Sequence, residues 1–140
     1  MNPTQTRNTA DYGVTLLRIS LGAMWIAHAL LKLFVFTLPG TAQFFESVGI
    51  PGILAYPVFA AELLGGAAIL FGVYARQVSL ALTPVMAVAA SVHFANGWLF
   101  TNKGGGWEYP VFLAIASVAL WLVGDGALAL RSSRRFVPTV

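Results

Sequence analysis

An all-α integral membrane fold, a bundle of four spans, is what this sequence predicts, and three observations predict it. Hydrophobic residues fill 58% of the 140 positions and charged residues only 9%, against about 25% charged in ordinary soluble domains. The apolar residues gather in four long stretches. The connections between these stretches are short and rich in Gly, Pro and aromatic residues. So few charges cannot cover a water-facing surface, and the mean hydropathy of +0.78 agrees.

A bilayer core of about 30 Å needs roughly 20 apolar residues in a helix rising 1.5 Å per residue. The first span is expected over residues 12–36 and the second over 53–74. The third is expected over 78–96 and the fourth over 107–128. The length suits a single domain, 1–140. The polar start with Arg7, followed by a long apolar stretch without a small-residue cleavage site, reads as a retained helix.

The connections carry their own signals. In the first, turn residues at Pro39-Gly40 and Gly49 to Gly52 enclose residues 41–48. Thr41 as N-cap and Gly49 as the closing residue predict a short interfacial helix, with Phe44, Phe45 and Val48 dipping inward. The second connection, 75–77, makes spans two and three an antiparallel hairpin. The third sets Trp98, Phe100, Trp107 and Tyr109 around Gly104-Gly105-Gly106, the composition of an interfacial aromatic belt. Small residues at Ala61, Gly65, Ala68 and Gly72 line one face of span two and invite a close neighbour. Pro84 is expected to bend span three.

Orientation follows from Lys and Arg. Four spans put both termini and the second connection on one side, with Arg7, Arg76, Arg131, Arg134 and Arg135. The other side has Lys103, with Lys32 near the mouth of span one. Basic residues concentrate on the cytoplasmic side, so both termini are expected there. The expected location is a bacterial cytoplasmic (inner) membrane, with the lipid bilayer as the first partner. The same topology accounts for the sequence pI of about 9.7 without nucleic acid. The absence of cysteine excludes disulfides, thiolate metal sites, iron–sulfur clusters and thiol redox chemistry by the chain itself. The glycine run at 104–106 lacks the strand and lysine of a phosphate-binding loop.

Ionisable groups within a bilayer cost about 2.5–3.5 kcal/mol each even on lenient insertion scales. The chain nevertheless carries Arg18, His28, Lys32, Glu62, His93, Glu108 and Asp125 in or beside its spans. Helical rise puts His28 and His93 at about 24 and 22 Å above the cytoplasmic end, with Glu62 slightly lower at about 18 Å. Lys32 and Glu108 lie above them. A polar pocket opening outward is expected, with Glu62, His28 and His93 as the catalytic, proton-handling groups. Lys32, Arg18, Glu108, Phe45 and Trp98 are the expected substrate contacts. Each has a structural alternative. Arg18 would pair with Glu62 or Asp125, Lys32 would snorkel, Glu108 would complement a helix dipole, and Asp125 would serve a turn between Gly124 and Gly126.

The motifs resemble those of the DoxX family of small four-helix membrane proteins. The resemblance rests on Leu17-Arg18 with Gly22, His28 to Lys32, and Phe44-Phe45-Glu46-Ser47-Val48-Gly49-Ile50-Pro51. It continues through Glu62-Leu63-Leu64-Gly65-Gly66 with Gly72 and Arg76, and Gly105-Gly106-Trp107-Glu108-Tyr109. It implies a membrane protein linked to redox metabolism, similar to the branch described as oxidoreductases of quinone and catechol stress responses. Three readings follow. In a quinone-linked oxidoreductase subunit, His28, Lys32 or His93 would donate to the quinone carbonyls and Glu62 and Glu108 would relay protons. Phe34, Phe44, Phe45 and Trp98 would pack the ring, and a soluble redox partner would bring electrons. A haem- or metal-binding protein would use the two histidines as ligands. A small-molecule carrier or partner scaffold, reaching sufficient size as a homo-oligomer, would need no redox step.

Overall fold

The computed structural model describes residues 9–133, so Arg7, Arg134 and Arg135 of the expected charge bias lie outside the described residues. Among those described there are five α-helices and no strand. Helix α1 (Thr9–Leu30) runs on into a π-helical turn, Leu31–Val35. A short α2 (Leu38–Ser47) and a 3-10 turn (Gly52–Leu54) lead into α3 (Ala55–Phe71). Helix α4 (Ala75–His93) ends in a second 3-10 turn (Phe94–Asn96), and α5 spans Glu108–Val123. The continuous helical runs Thr9–Val35, Gly52–Phe71 and Ala75–Asn96 are each long and apolar enough to cross a membrane. Helix α5 is apolar but has only 16 residues, because the chain turns at Gly124 (φ 115°) and does not continue to residue 128 as expected.

Helix α1 lies along α3, α3 beside α4, α4 along α5, and α5 returns to α1. Leu21, Trp25, Ile69, Leu82, Met86, Leu113 and Leu120 fill the space between them. The outward faces are as apolar as the core. Leu16, Phe34, Leu64, Phe112, Ile115 and Leu122 are each more than 60% exposed, a girdle far beyond the scattered apolar residues of a soluble surface.

The closest packing is between α1 and α3, and glycine makes it possible. A Cβ on Gly22 would sit 2.6 Å from the Leu70 amide nitrogen, and one on Gly66 would sit 2.9 Å from that of Ile26. The two backbones therefore touch, as small residues permit in membrane helix pairs. The adjacent Gly65 looks the other way, toward Leu82 of α4, where a Cβ would meet a methyl at 2.7 Å. The expected small-residue face thus serves α4 through Gly65, and the tighter contact uses Gly66 beside it.

The end of the molecule where α3 meets α4 is laced by hydrogen bonds. Helix α3 stops at Gly72, whose left-handed backbone (φ 71°) reverses the chain. The Gly72 and Val73 N–H groups return to the carbonyls of Ile69 and Ala68, at 3.1 and 2.8 Å, the usual glycine closure of a helix. This puts the turn at residues 72–74, three earlier than expected. Arg18 Nη1 donates to the carbonyls of Leu70 (2.6 Å) and Ile69 (3.2 Å). The Phe71 and Gly72 carbonyls accept from Leu130 and Arg131, so the chain after α5 pairs with the turn through a Val73–Arg131 bridge. Every carbonyl at this helix end thereby finds a donor, as buried backbone requires.

One expected role changes here and another is filled in. Arg18 makes no direct ion pair with Glu62 or Asp125, although Asp125 lies within electrostatic reach: three backbone carbonyls, the third being Ala127 at 3.5 Å, take its guanidinium. Asp125 instead accepts from the Arg76 N–H (3.1 Å), the Ser133 N–H (2.6 Å) and Ser133 Oγ (2.9 Å). It fastens the start of α4 to the segment after α5, in keeping with its turn role. Pro84 lies within α4, which continues through it.

Candidate functional site

At the opposite end of the molecule the chain leaves the regular α-helix just where Lys32 stands. The Phe36 N–H reaches back five residues to the Leu31 carbonyl at 2.9 Å. This widens the last turn of the first span, and such π turns recur at functional sites. Thr37 follows with φ 61° and ψ 154°, a conformation that costs a β-branched residue about 1–3 kcal/mol. Local bonds hold it there. Its Oγ1 accepts from the Gly40 N–H at 3.1 Å, and its carbonyl accepts from the Thr41 N–H and hydroxyl, both at 2.9 Å. Thr37, not Thr41, is therefore the N-cap of α2. Thr41 is buried within the helix because the cap lies four residues earlier than expected. Gly49 closes α2 as expected, with φ 83°.

Lys32 meets Glu62 of α3 in an ion pair, with Nζ 2.7 Å from Oε2 and 3.0 Å from Oε1. The carboxylate is wholly buried and the ammonium side chain is 17% exposed. The widened turn carries the lysine over the carboxylate, so one ionised group is compensated by the other inside apolar packing. His28, one turn before Lys32, is within electrostatic reach of Glu62. Its Nδ1 lies 2.8 Å from the Met24 carbonyl and therefore bears the hydrogen. Its ring stacks on Tyr109 of α5, with centroids 5.2 Å apart and planes 24° apart. The Tyr109 hydroxyl is buried without a partner among the described residues. Tyr109 thus leaves the expected aromatic belt and packs inward.

His93 stands apart from this trio. At the end of α4 its Nδ1 lies 3.0 Å from the Gly104 carbonyl. Its ring faces Phe44 of α2, with centroids 6.4 Å and planes 21° apart. Asn96 Nδ2 donates to the carbonyls of Gly104 (3.1 Å) and Gly105 (2.9 Å), and Asn102 Nδ2 to the Asn96 carbonyl (2.9 Å). These bonds fold the glycine-rich connection down onto the end of α4. Phe44, Val48, Val92, His93, Asn96 and Gly104 line a groove of about 230 Å³ here.

The remaining expected contacts sort themselves by setting. Glu108 begins α5 and takes the Phe100 N–H on Oε1 at 2.9 Å, so it ties down the connection. Trp98 packs edge-on against Trp107 at 4.5 Å, Phe94 stacks on Trp107 at 5.6 Å, and Phe45 lies beside Phe44 at 6.5 Å. The structure therefore brings Lys32, Glu62, His28 and Tyr109 together, and sets His93 with Phe44 and Asn96 in a separate groove. One pocket centred on His28, Glu62 and His93 was expected; the wholly buried Glu62 does not line the His93 groove. Among the described residues no three His, Cys, Asp or Glu side chains gather as metal ligands.

Apolar helices of spanning length, an apolar outer girdle and a buried ion pair define a multi-pass membrane protein. The chain belongs to the DoxX family, whose model matches residues 13–96. It is also 34% identical, over 122 residues, to a Bacillus subtilis (strain 168) protein named "Putative oxidoreductase CatD", a match spanning 86% of this chain and 85% of that one. No solved structure matches the chain.

Proposed function

We propose that this chain is the membrane subunit of a quinone-linked oxidoreductase. In this reading α1, α3, α4 and α5 cross a bacterial inner membrane as a four-helix bundle with both termini cytoplasmic. The laced end with Arg76 and Arg131 then faces the cytoplasm, and the end with Lys32, Glu62 and Lys103 faces outward. The name of the Bacillus relative supports the oxidoreductase class.

The observation that carries the function is the Lys32–Glu62 pair. A carboxylate wholly buried among apolar helices is costly, and pairing it with a lysine on a non-α turn uses two rare devices at one point. Reducing a quinone to a quinol takes up two electrons and two protons. Lys32, Glu62 and the imidazole of His28 are proton-exchanging groups at the membrane face where a headgroup arrives. The chain has no cysteine, so electrons would enter through a soluble redox partner.

Two measurements test the reading. Purified wild-type protein in nanodiscs should bind ubiquinone or menaquinone, and Glu62→Gln should bind the quinone yet fail to support its reduction in membranes supplied with the cell's soluble fraction. Failure to bind either quinone overturns the proposal. Topology is read separately, since the cysteine-free chain accepts single reporters. A membrane-impermeant maleimide should label Lys103→Cys but not Gln77→Cys in intact cells, and the reverse pattern rejects the orientation.

A further inference from the structure

Three polar atoms in the core of the bundle have no part in the fold or in the sites above. The Arg18 Nε–H, the Trp25 indole N–H and the Ser117 hydroxyl each lack a hydrogen-bond partner among the described residues. Their residues are 2%, 0% and 0% exposed. A fourth such atom, the Tyr109 hydroxyl, belongs to the His28 stack. Buried polar groups in native structures almost always have a partner, either protein or ordered water. Scattered through the molecule, three orphans would be unrelated; these three stand on only two helices, α1 and α5.

The register of those helices draws them into one seam. Tyr109 stacks on His28 at one end. At the other end the Ala127 N–H donates to the Asp11 carbonyl, and the Thr15 hydroxyl donates to the Ala127 carbonyl. Helices α1 and α5 therefore run antiparallel. Counted from the stack at about 1.5 Å per residue, Trp25 lies about 5 Å down the seam, Ser117 about 12 Å and Arg18 about 15 Å. Arg18 and Trp25 are two turns apart and share the face of α1 that buries Leu21 and Gly22. Side chains lean toward the start of their helix, which carries the Trp25 indole down toward Ser117. Ser117 lies between Leu113 and Leu120 on the buried face of α5. Arg18 Nη2 reaches the Ala127 carbonyl just beyond that helix. Of the neighbouring helix pairs, α1 and α5 approach least closely, so the seam is where the bundle has room.

Hydrogen-bonding valences say what fills it. An indole N–H and a guanidinium Nε–H only donate, while a hydroxyl donates and accepts. The ligand must offer lone pairs to two fixed donors. Water does so, and keeps hydrogens for the Ser117 oxygen. An apolar ligand satisfies none of the three. A small anion would also take donors, but Asp125 already lies within electrostatic reach of Arg18, so an added anion would leave excess negative charge in the core.

We propose that the seam between α1 and α5 is a water-binding site, with ordered water held by Trp25 Nε1 and Ser117 Oγ and ending against Arg18 Nε. Trp25 packs on α3 at Gly66, where a Cβ would lie 2.9 Å from the Trp25 Cβ. Glu62 is one helical turn from Gly66, in the direction of Lys32. The water therefore sits beneath Glu62, on the side away from Lys32, and is a proton-exchanging molecule there. That relay rests on the proton-handling reading above; the site itself does not.

The test uses full-length protein in detergent micelles with isotope-labelled tryptophan, and Trp25→Phe assigns the Trp25 signal. The Trp25 indole N–H should show a cross-relaxation peak with water although its side chain is fully buried. Ser117→Ala should weaken that peak. It should also shift the unfolding equilibrium in mixed SDS and non-ionic detergent about fivefold toward the unfolded state, the worth of one hydrogen bond. In a dry core the same change removes an unpaired hydroxyl and should stabilise. The absence of a water peak at Trp25, or a Ser117→Ala variant that is not destabilised, overturns the site. A Trp25 signal that moves when chloride is exchanged for sulfate identifies an anion and overturns it too. The relay is read separately: Ser117→Ala should slow quinone reduction in membranes with quinone binding unchanged, and an unaltered rate rejects the relay. Failure of wild type to bind any quinone sinks the reading beneath the relay and leaves the water peak to decide the site.

Discussion

Replacing Gly22 by alanine tests the α1–α3 contact at its tightest point. The added Cβ would lie 2.6 Å from the Leu70 nitrogen, 2.7 Å from its Cα and 2.9 Å from the Gly66 carbonyl oxygen. All three are backbone atoms and none can rotate away. Restoring ordinary contact at about 3.5–4.0 Å means moving the helices apart by roughly 1 Å. That movement would stretch the Arg18–Leu70 bond from 2.6 Å beyond hydrogen-bonding range. Overpacking of this kind costs about 1–3 kcal/mol, and alanine returns up to about 1 kcal/mol as the better helix former. Gly22→Ala should therefore lose about 1–2 kcal/mol. Gly65→Ala is the control, because its nearest neighbour at 2.7 Å is the terminal methyl of Leu82, which can turn aside. Leu82 is itself buried and its Cγ would lie at 3.3 Å, so part of the helix-propensity gain of up to about 1 kcal/mol is offset and the variant should stay close to wild type. Equilibrium unfolding in mixed SDS and non-ionic detergent, followed by circular dichroism, gives both values. Equal stability of the two variants would refute a backbone-to-backbone crossing at Gly22.

Lys32→Met strands the buried Glu62 carboxylate and should cost about 3–5 kcal/mol, while Lys32→Met/Glu62→Met should recover more than half of it; a double variant as unstable as the single one rejects the pair as the cause. Asp125→Ala removes the acceptor of three hydrogen bonds and should cost about 2–3 kcal/mol. The released segment should be cut faster by trypsin after Arg131, and an unchanged rate in detergent counts against the fastening role. Tyr109→Phe removes a buried hydroxyl that has no partner among the described residues and should raise stability by about 1 kcal/mol. A loss in the same detergent titration would reveal a partner for that hydroxyl, such as a bound water.

Long-range hydropathy made the helices legible in order and approximate extent, since an apolar run of spanning length has few alternatives. Their ends were less so, because ends are fixed by single backbone conformations. Gly72 and Gly124 stop α3 and α5 earlier than the hydrophobic pattern does: Val73 and Tyr74 continue past the first, and Ala127 to Leu130 resume after Asp125-Gly126 past the second. Helical rise placed Lys32 well above Glu62 in one outward-opening pocket, not in contact with it. Lys32 makes that contact from within a π turn, and nothing in Leu31-Lys32-Leu33-Phe34-Val35 announces one. Charge logic alone suggested a partner carboxylate for Arg18. The structure supplies helix-end carbonyls instead, a partner that sequence never displays because every residue has one. Tyr109 read as part of a belt since its neighbours are aromatic, and only the approach of α1 reveals its stacking on His28.

The lacing around Gly72 has a mechanical consequence. That end of the molecule is cross-stitched by Arg18, Asp125 and the Val73–Arg131 bridge, whereas at the far end the bonds of Asn96, Asn102 and Glu108 stay within the 93–108 connection, α2 meets its neighbours through ring faces, and one ion pair joins the first span to α3. Thermal opening should therefore start at the far end and travel toward the stitched one, like a clothes-peg pivoting on its spring. Amide exchange should be fastest around residues 36–50 and 97–107 and slowest near Gly72. The groove between Phe44 and His93 sits in the jaws, away from the pivot.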